Sequence, residues 1–397
     1  MVFSQTVEGV MRRLRNPLAI ALVAVTFRLI LIGPVWLGPM NPYPNQPFTK
    51  NEPSHIAAHI ARGEGFASPY TDLPTPTAQQ PPLYPLFLAV IFKLFGIFSR
   101  MSLCVIVGAN AVTGGVVALL LYRVALKYFS QTAALVAAWM WAVLPPTALT
   151  DLALCHYSFS TLAVLSWLLL IPDMSARTRD WMLLGIAVGV ALLLNPMLVL
   201  LIPASALWLL PRKGFVAIML AMTALTLAPW YVRNYRMLGS FYPCLRDNLG
   251  LELYIGNHAG MSGIYDYFTG ESPYRSRQLT EWGEARFMAA RQREAMVYIV
   301  SAPEDFLLRA AKRLEDFWLH PWPFVYFTLI GLALWGFRQA PQPFAAFTAV
   351  LFLIYPVVFY VTQTSWATSY RHPIEPLLLL MAAVPVERII HRLREQP

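Results

Sequence analysis

The chain has 397 residues, 57% of them hydrophobic and only 13% charged, with a formal net charge of +9. Soluble proteins carry roughly a quarter charged residues, so a water-bathed globular domain is excluded. Apolar runs approaching the ~20 residues of a bilayer-crossing helix make this an all-α polytopic membrane protein.

In that class a positive charge dispersed over loops reports orientation and contact with anionic membrane lipids, not nucleic acid. Cys104, Cys155 and Cys244 are scattered and form neither a disulfide framework nor a metal-binding spacing. Arg12, Arg13 and Arg15 precede the first apolar run, 17–37. The run is longer than a signal-peptide core and no small-residue cleavage site follows, so it reads as an uncleaved first helix. A polar island then runs from Asn51-Glu52-Pro53-Ser54-His55 through His59, Arg62-Gly63-Glu64-Gly65-Phe66 to Gln79-Gln80-Pro81-Pro82-Leu83-Tyr84-Pro85.

Further apolar stretches lie near 83–98, 102–122, 131–147, 152–171, 181–194, 196–210, 214–231, 322–337, 344–362 and 372–388. If every stretch crossed, Arg123, Lys127, Arg177, Arg179, Arg212 and Lys213 would lie outside, against the positive-inside rule. The stretch 83–98 is short, begins with prolines and carries Lys93, which suits an outer-face segment that does not cross. With that change the basic residues, together with Arg338, Arg388, Arg392 and Arg394, fall inside. The expectation is a single domain over 1–397 with about ten crossings and both termini cytoplasmic. Outer loops are expected at about 38–101, 148–156, 232–321 and 363–372.

Within the large loop, Ser301, Pro303, Glu304 and Asp305 supply a cap, a helix-starting proline and a negative first turn. Phe306, Leu307, Ala310, Leu314 and Phe317 follow at helical spacing, with Arg309, Lys312 and Arg313 among them. This predicts an amphipathic helix on the outer leaflet. A similar helix is expected upstream, from about Gln278 to Val300.

Glu52 opens a predicted helix, with His55 and His59 one turn apart. It is a candidate general base, with the histidines as substrate contacts; the alternative is a favourable charge at a helix N-terminus and ordinary interfacial histidines. The two histidines have metal spacing, but no third ligand is visible nearby. Arg233, Arg236 and Arg246 lie in a run from Trp230 to Asn257 and His258 that suits phosphate binding, because guanidinium pairs with phosphate as a fork. The alternative is a snorkelling belt of arginine and aromatic residues. Tyr370-Arg371-His372-Pro373 offers the same choice. Asp151 reads as a second acid or a helix cap, and Arg28, inside the first span, as a charge paired internally. One carboxylate among several cations fits a sugar leaving from phosphate. The leaving group is then stable as an anion, so a base and positive charge suffice where an ordinary glycoside needs two carboxyl groups.

Glu52, Ala57, Arg62-Gly63-Glu64-Gly65-Phe66, Pro81-Pro82-Leu83-Tyr84-Pro85 and Phe95-Gly96 resemble the first-loop signature of bacterial family 39-type glycosyltransferases. These are relatives of protein O-mannosyltransferases and of the lipid A aminoarabinose transferase. Pro229-Trp230, Arg233-Asn234-Tyr235, Gly239, Pro243, Gly256-Asn257 and Tyr370-Arg371-His372-Pro373 resemble the same group, in order along the chain. The resemblance implies a GT-C membrane fold, a polyprenyl-phosphate-linked sugar as donor and a lipid, glycan or protein acceptor. It also implies transfer at the periplasmic face of a bacterial inner membrane, normally with inversion, and a first-loop carboxylate as base. Some relatives use a divalent metal and others none, so no cofactor is assigned.

Two departures stand out. Asn51-Glu52 replaces an acidic pair beginning with Asp, which moves the base role to Glu52. Gln80 replaces a lysine, which shifts phosphate binding to Arg233, Arg236, Arg246 or Arg371. Asn51, His55, His59, Tyr84, Asn257, His258 and His372 are the expected substrate contacts. The rival readings are a lipid or sugar transporter, which would bury its ionisable residues at mid-membrane in two related halves, and a non-catalytic family member.

Overall fold

The structure is a computed structural model that describes residues 16–37, 51–71, 73–171, 177–239, 245–258, 273–362 and 367–395. Those residues are overwhelmingly helical, and their only β pairing is an isolated bridge between Ala67 and Pro76. In chain order the helices are α1 (Pro17–Ile32), α2 (Glu52–Arg62), α3 (Leu83–Phe95), α4 (Arg100–Tyr128), α5 (Gln131–Val143), α6 (Pro145–Asp151), α7 (Tyr157–Leu170) and α8 (Thr178–Leu194). There follow α9 (Lys213–Leu238), α10 (Leu249–Gly256), α11 (Pro273–Trp282), α12 (Glu284–Ser301), α13 (Pro303–Leu319), α14 (Pro323–Phe337), α15 (Phe344–Ile354), α16 (Val357–Thr362) and α17 (Glu375–Glu395).

Their ends follow local chemistry. Asn16 caps α1 with Pro17 in the first turn, and Ser99 and Ser130 cap α4 and α5 through their hydroxyls. Asn51 caps α2, and Gly63 closes it at φ 83°, a left-handed turn that glycine adopts without strain. Pro303, Glu304 and Asp305 start α13 as expected. Ser301 does not cap it. It ends α12, its hydroxyl donating to the Tyr298 carbonyl at 3.0 Å, and Ala302 takes the cap position. The expected upstream helix is broken into α11 and α12 at Gly283, where φ is 74°.

Four helices among the described residues are long and apolar enough to cross a membrane: Pro17–Trp36, Arg100–Tyr128, Ala206–Leu238 and Phe344–Thr362. Two bent pairs, α5 with α6 at 60° and α13 with α14 at 83°, bring the number to six if each is one span. The expectation of about ten crossings counted shorter pieces as well. The stretch 196–210 forms only short helical pieces, among them Pro196–Leu200, Leu201–Ala204 and Ala206–Leu209, and α7 has 14 residues; α3, expected not to cross, has 13. At 1.5 Å per residue α3 reaches about 20 Å, short of the ~30 Å hydrocarbon core.

A buried apolar cluster runs through α1, α4, α5, α7, α8, α9, α14, α15 and α17. Large side chains on its outside, such as Phe324 at 88% and Leu353 at 72% exposure, need an apolar surrounding, and this is an integral membrane protein. A second cluster joins α2 and α3 to α4 through Ala57, Tyr84, Leu88 and Ile106. A third, around Tyr70, Leu251, Leu279 and Phe287, ties the first loop to the large one. The two smaller clusters hold the site.

Candidate functional site

A cavity of about 500 Å³ opens between the start of α2, the turn after α6, residues 246–252 and the segment preceding α17. That volume lies within the ordinary range of small-molecule sites. One wall is apolar, built by Val35, Trp36, Leu149, Leu152 and Leu154; the other carries Asn51, Glu52, Gln80, His156, Tyr157, Arg246, Glu252, Ser369 and Tyr370.

Asn51 aims Glu52 into this space. Its Oδ1 accepts from the Ser54 backbone N–H at 3.0 Å and from the Ser54 hydroxyl at 2.6 Å, which fixes the first turn of α2. Its Nδ2 donates to the Leu154 carbonyl at 2.5 Å, tying α2 to the turn after α6. A carboxylate at position 51 would face that carbonyl without a donor, which gives a physical reason for the amide there. Glu52 follows with both oxygens engaged: the Tyr70 hydroxyl donates to Oε1, and Gln80 Nε2 donates to Oε2 at 2.6 Å. The carboxylate is half-buried and oriented from both sides.

Arg246 supplies the cavity's positive charge. Its Nε donates to the Gln79 carbonyl at 2.9 Å, and its Nη2 lies 3.6 Å from Glu252 Oε1, which also accepts from Asn248 Nδ2 at 2.8 Å. Burial alone would lower the guanidinium pKa, but Glu252 and Glu52 beside it carry it above its ordinary value. Burial, with Arg246 nearby, depresses His156 to about 3, so its ring is neutral. Burial raises the Cys155 thiol to about 11, and burial with the Glu252 charge raises the Tyr370 phenol. Around Glu52, Arg246 and Glu252 the wall is therefore polar but neutral.

The structure gives the other expected site residues different surroundings. Arg233 donates to the Thr77 and Phe66 carbonyls, the latter at 2.9 Å, and lies over the Trp230 ring, 4.9 Å from its centroid, away from this cavity. Arg236 is exposed near the end of α9. Arg371 is buried over the Tyr326 ring and donates to the Phe317 carbonyl, so its charge serves the junction of α13 and α14. Asn257 is spent on the Leu253 and Val361 carbonyls, at 2.9 and 2.7 Å. His258 stacks on Tyr254, with centroids 4.4 Å apart.

In the first loop, His55 packs against Phe98, and His59 Nδ1 sits 2.6 Å from Glu64 Oε2. Tyr84 is buried among Phe87, His156 and Phe159, behind the cavity wall.

Asp151 and His372 belong to a buried charge network. Asp151, at the end of α6 and fully buried, pairs with Arg28 Nε at 2.6 Å and accepts from the Ser158 hydroxyl at 2.6 Å. His372 bridges Asp151 Oδ1 at 2.8 Å and Glu375 Oε2 at 3.1 Å. Arg28 also donates to the Ala24 and Ala142 carbonyls, at 3.1 and 3.2 Å. Gly114 makes the room: a Cβ there would run into both Arg28 Nε and Asp151 Oδ2. Asp151 is neither a cap nor a lining residue of the cavity; its charge is consumed by Arg28.

Tyr70, Glu252 and His156 were not singled out as site residues from the sequence. Tyr70 reaches Glu52 from 18 residues away, a separation without a local signal. Glu252 had one, because it lies six positions after Arg246 in the run that was read as phosphate-binding. No group of three or more His, Cys, Asp or Glu side chains that could hold a metal is found among the described residues.

Residues 79–232 match the family model described as dolichyl-phosphate-mannose-protein mannosyltransferase. No curated protein sequence matches the chain. Among solved structures, it is similar to ArnT from Cupriavidus metallidurans bound to undecaprenyl phosphate: TM-score 0.54, 17% identity, covering 93% of this chain and 59% of that one. It is also similar to the Archaeoglobus fulgidus oligosaccharyltransferase tethered to an acceptor peptide: TM-score 0.52, 15% identity, 96% of this chain and 51% of that one. A third match is the archaeal oligosaccharyltransferase AglB from the same organism, in complex with an inhibitory peptide and a dolichol-phosphate, with TM-score 0.50, 14% identity and coverage of 95% and 51%. The chain thus spans between about half and three-fifths of the length of these structures. The fold is that of the GT-C membrane glycosyltransferases, as the resemblance in the sequence implied.

Proposed function

We propose that the protein is a membrane glycosyltransferase that moves a sugar from a polyprenyl-phosphate donor to an acceptor hydroxyl at the outer face. The observation that carries this reading is one cavity lined by an oriented carboxylate, Glu52, and a guanidinium, Arg246. The family match and the lipid phosphates in two of the similar structures support the donor class.

In this mechanism Glu52 takes the proton of the acceptor hydroxyl as the new bond from its oxygen to the anomeric carbon forms. The bond from that carbon to the phosphate oxygen breaks, and the electron pair leaves with the polyprenyl phosphate. Arg246 stabilises that anion as charge accumulates. Neutral His156, protonated Cys155 and the phenol of Tyr370 offer no competing charge, so the sugar meets hydrogen-bonding groups and an apolar wall. Attack from the face opposite the phosphate inverts the anomeric centre. Of the four arginines expected to hold phosphate, Arg246 keeps the role, because it alone among them lines the cavity. The acceptor remains one of three classes: lipid, glycan or protein.

The test is release of undecaprenyl phosphate from undecaprenyl-phosphate-linked sugars by the purified, membrane-reconstituted protein. Release that depends on an added acceptor is the expected result. Absence of release across a panel of such donors and acceptors would count against the reading.

A further inference from the structure

One short segment, Thr77–Gln80, is fastened on both sides by residues far away in the chain. Arg233 donates to the Thr77 carbonyl, the Asp247 backbone N–H to the Ala78 carbonyl at 2.7 Å, and Arg246 Nε to the Gln79 carbonyl at 2.9 Å. Its other edge meets Glu284, the first residue of α12. The Ala78 N–H donates to Glu284 Oε1 at 2.6 Å, and the Thr77 hydroxyl, which accepts from the Gln79 N–H at 3.1 Å, pairs with Glu284 Oε2. Thr77 and Ala78 are fully buried and Glu284 is 6% exposed. The next residue, Gln80, holds Glu52. A buried carboxyl outside the cavity is therefore connected, through four residues, to two of its charged groups, Glu52 and Arg246.

We propose that Glu284 is a positioning residue: it fastens the Thr77–Gln80 strap to α12 and so sets where Gln80 holds Glu52 and where Gln79 holds Arg246. The catalytic consequence rests on the proposed function, whereas the clamp itself does not. The charged groups around Glu284 are Asp247 and Arg233, with Arg286 lining the same hollow. Burial pushes Glu284 up to about 8; its bonds to Thr77 and Ala78 oppose this, Asp247 adds to it and Arg233 opposes it. Burial also lifts Asp247 to about 6. Near neutral pH the clamp is a neutral acid, and ionising it sets a second negative charge beside Asp247. A glutamine at 284 reproduces the neutral form, its carbonyl accepting from Ala78 and its amide donating to Thr77.

Two measurements on the same reconstituted preparations decide the matter: amide hydrogen exchange over 66–80 and transfer rate against pH. Glu284→Ala is expected to speed exchange at 77–80, leave α4 unchanged and lower transfer about 100-fold, the scale of a small misplacement of reacting groups. Glu284→Gln is expected to keep wild-type exchange and neutral-pH transfer while moving the alkaline fall in rate to higher pH. Unchanged exchange and rate in the alanine variant would overturn the proposal. So would an alkaline limb identical in wild type and Glu284→Gln, and that comparison decides alone if the alanine variant does not fold. A wild type without transfer removes the functional reading, and exchange then decides the clamp.

Discussion

The molecule contains two sets of charged side chains that handle charge in opposite ways. In the buried network, Arg28, Asp151, His372, Glu375 and Arg371 are closed on one another and on backbone carbonyls. In the cavity, Glu52, Arg246 and Glu252 are held from behind by Tyr70, Gln80, the Gln79 carbonyl and Asn248, and face a space of about 500 Å³. Charges inside a low-dielectric region survive only when satisfied by neighbours. Charges fixed from behind and facing a cavity are preorganised for something that arrives. The network reads as architecture and the cavity as chemistry, although both use the same residue types.

Variants can break this comparison. The largest effect is expected for Glu52→Gln, with transfer falling about 10²–10⁴-fold, the usual contribution of a general base, at unchanged thermal stability. Asp151→Asn should do the reverse. Leaving Arg28 buried without its partner costs about 3–5 kcal/mol, read as a lower unfolding midpoint in detergent, while the molecules that remain folded transfer normally. Should Asp151→Asn spare stability and abolish transfer, the division between the two regions collapses.

Arg246→Ala is expected to weaken binding of undecaprenyl phosphate about 10–100-fold, corresponding to about 1.5–3 kcal/mol for hydrogen bonds to a charged group. Binding by titration calorimetry should show no such loss for Arg236→Ala, since Arg236 lies outside the cavity. The smallest effect concerns His156, whose folded pKa of about 3 lies below its ordinary 6.5. The unfolded chain binds the proton first, so the stabilising contribution is complete above about pH 6.5 and declines as pH falls toward 3. His156→Asn should therefore flatten the loss of stability between pH 6.5 and 5 by about 1–2 kcal/mol, measured as unfolding midpoints across that interval.

Much of the architecture was legible because it is local. The apolar runs located the long helices, Pro303 with Glu304 and Asp305 marked the start of α13, and the prolines and Lys93 marked the short α3. The number of crossings was less legible, since apolarity does not say that a stretch such as 196–210 forms several short helical pieces instead of one helix. In the site, Glu52 stood out as a carboxylate opening a helix. The four arginines could not be ranked from sequence, because what separates them is long-range: Arg233 caps carbonyls of the first loop, Arg371 those around α13, and Arg246 faces the cavity. Asn51 likewise looked like a missing acid until the Leu154 carbonyl, 103 residues away, supplied the reason for an amide.

Gly114 has a consequence for how this sequence can change over time. A methyl group there would occupy the space of Arg28 Nε and Asp151 Oδ2, so an alanine is admitted only where that pair has gone. Losing either charge alone strands the other, and losing both while the glycine stays leaves a void. Every single-step path between the two states passes through a poorer protein. Positions 28, 114 and 151 are therefore expected to covary as one block across descendants of this chain, whereas Arg236, exposed and away from the cavity, is expected to drift independently.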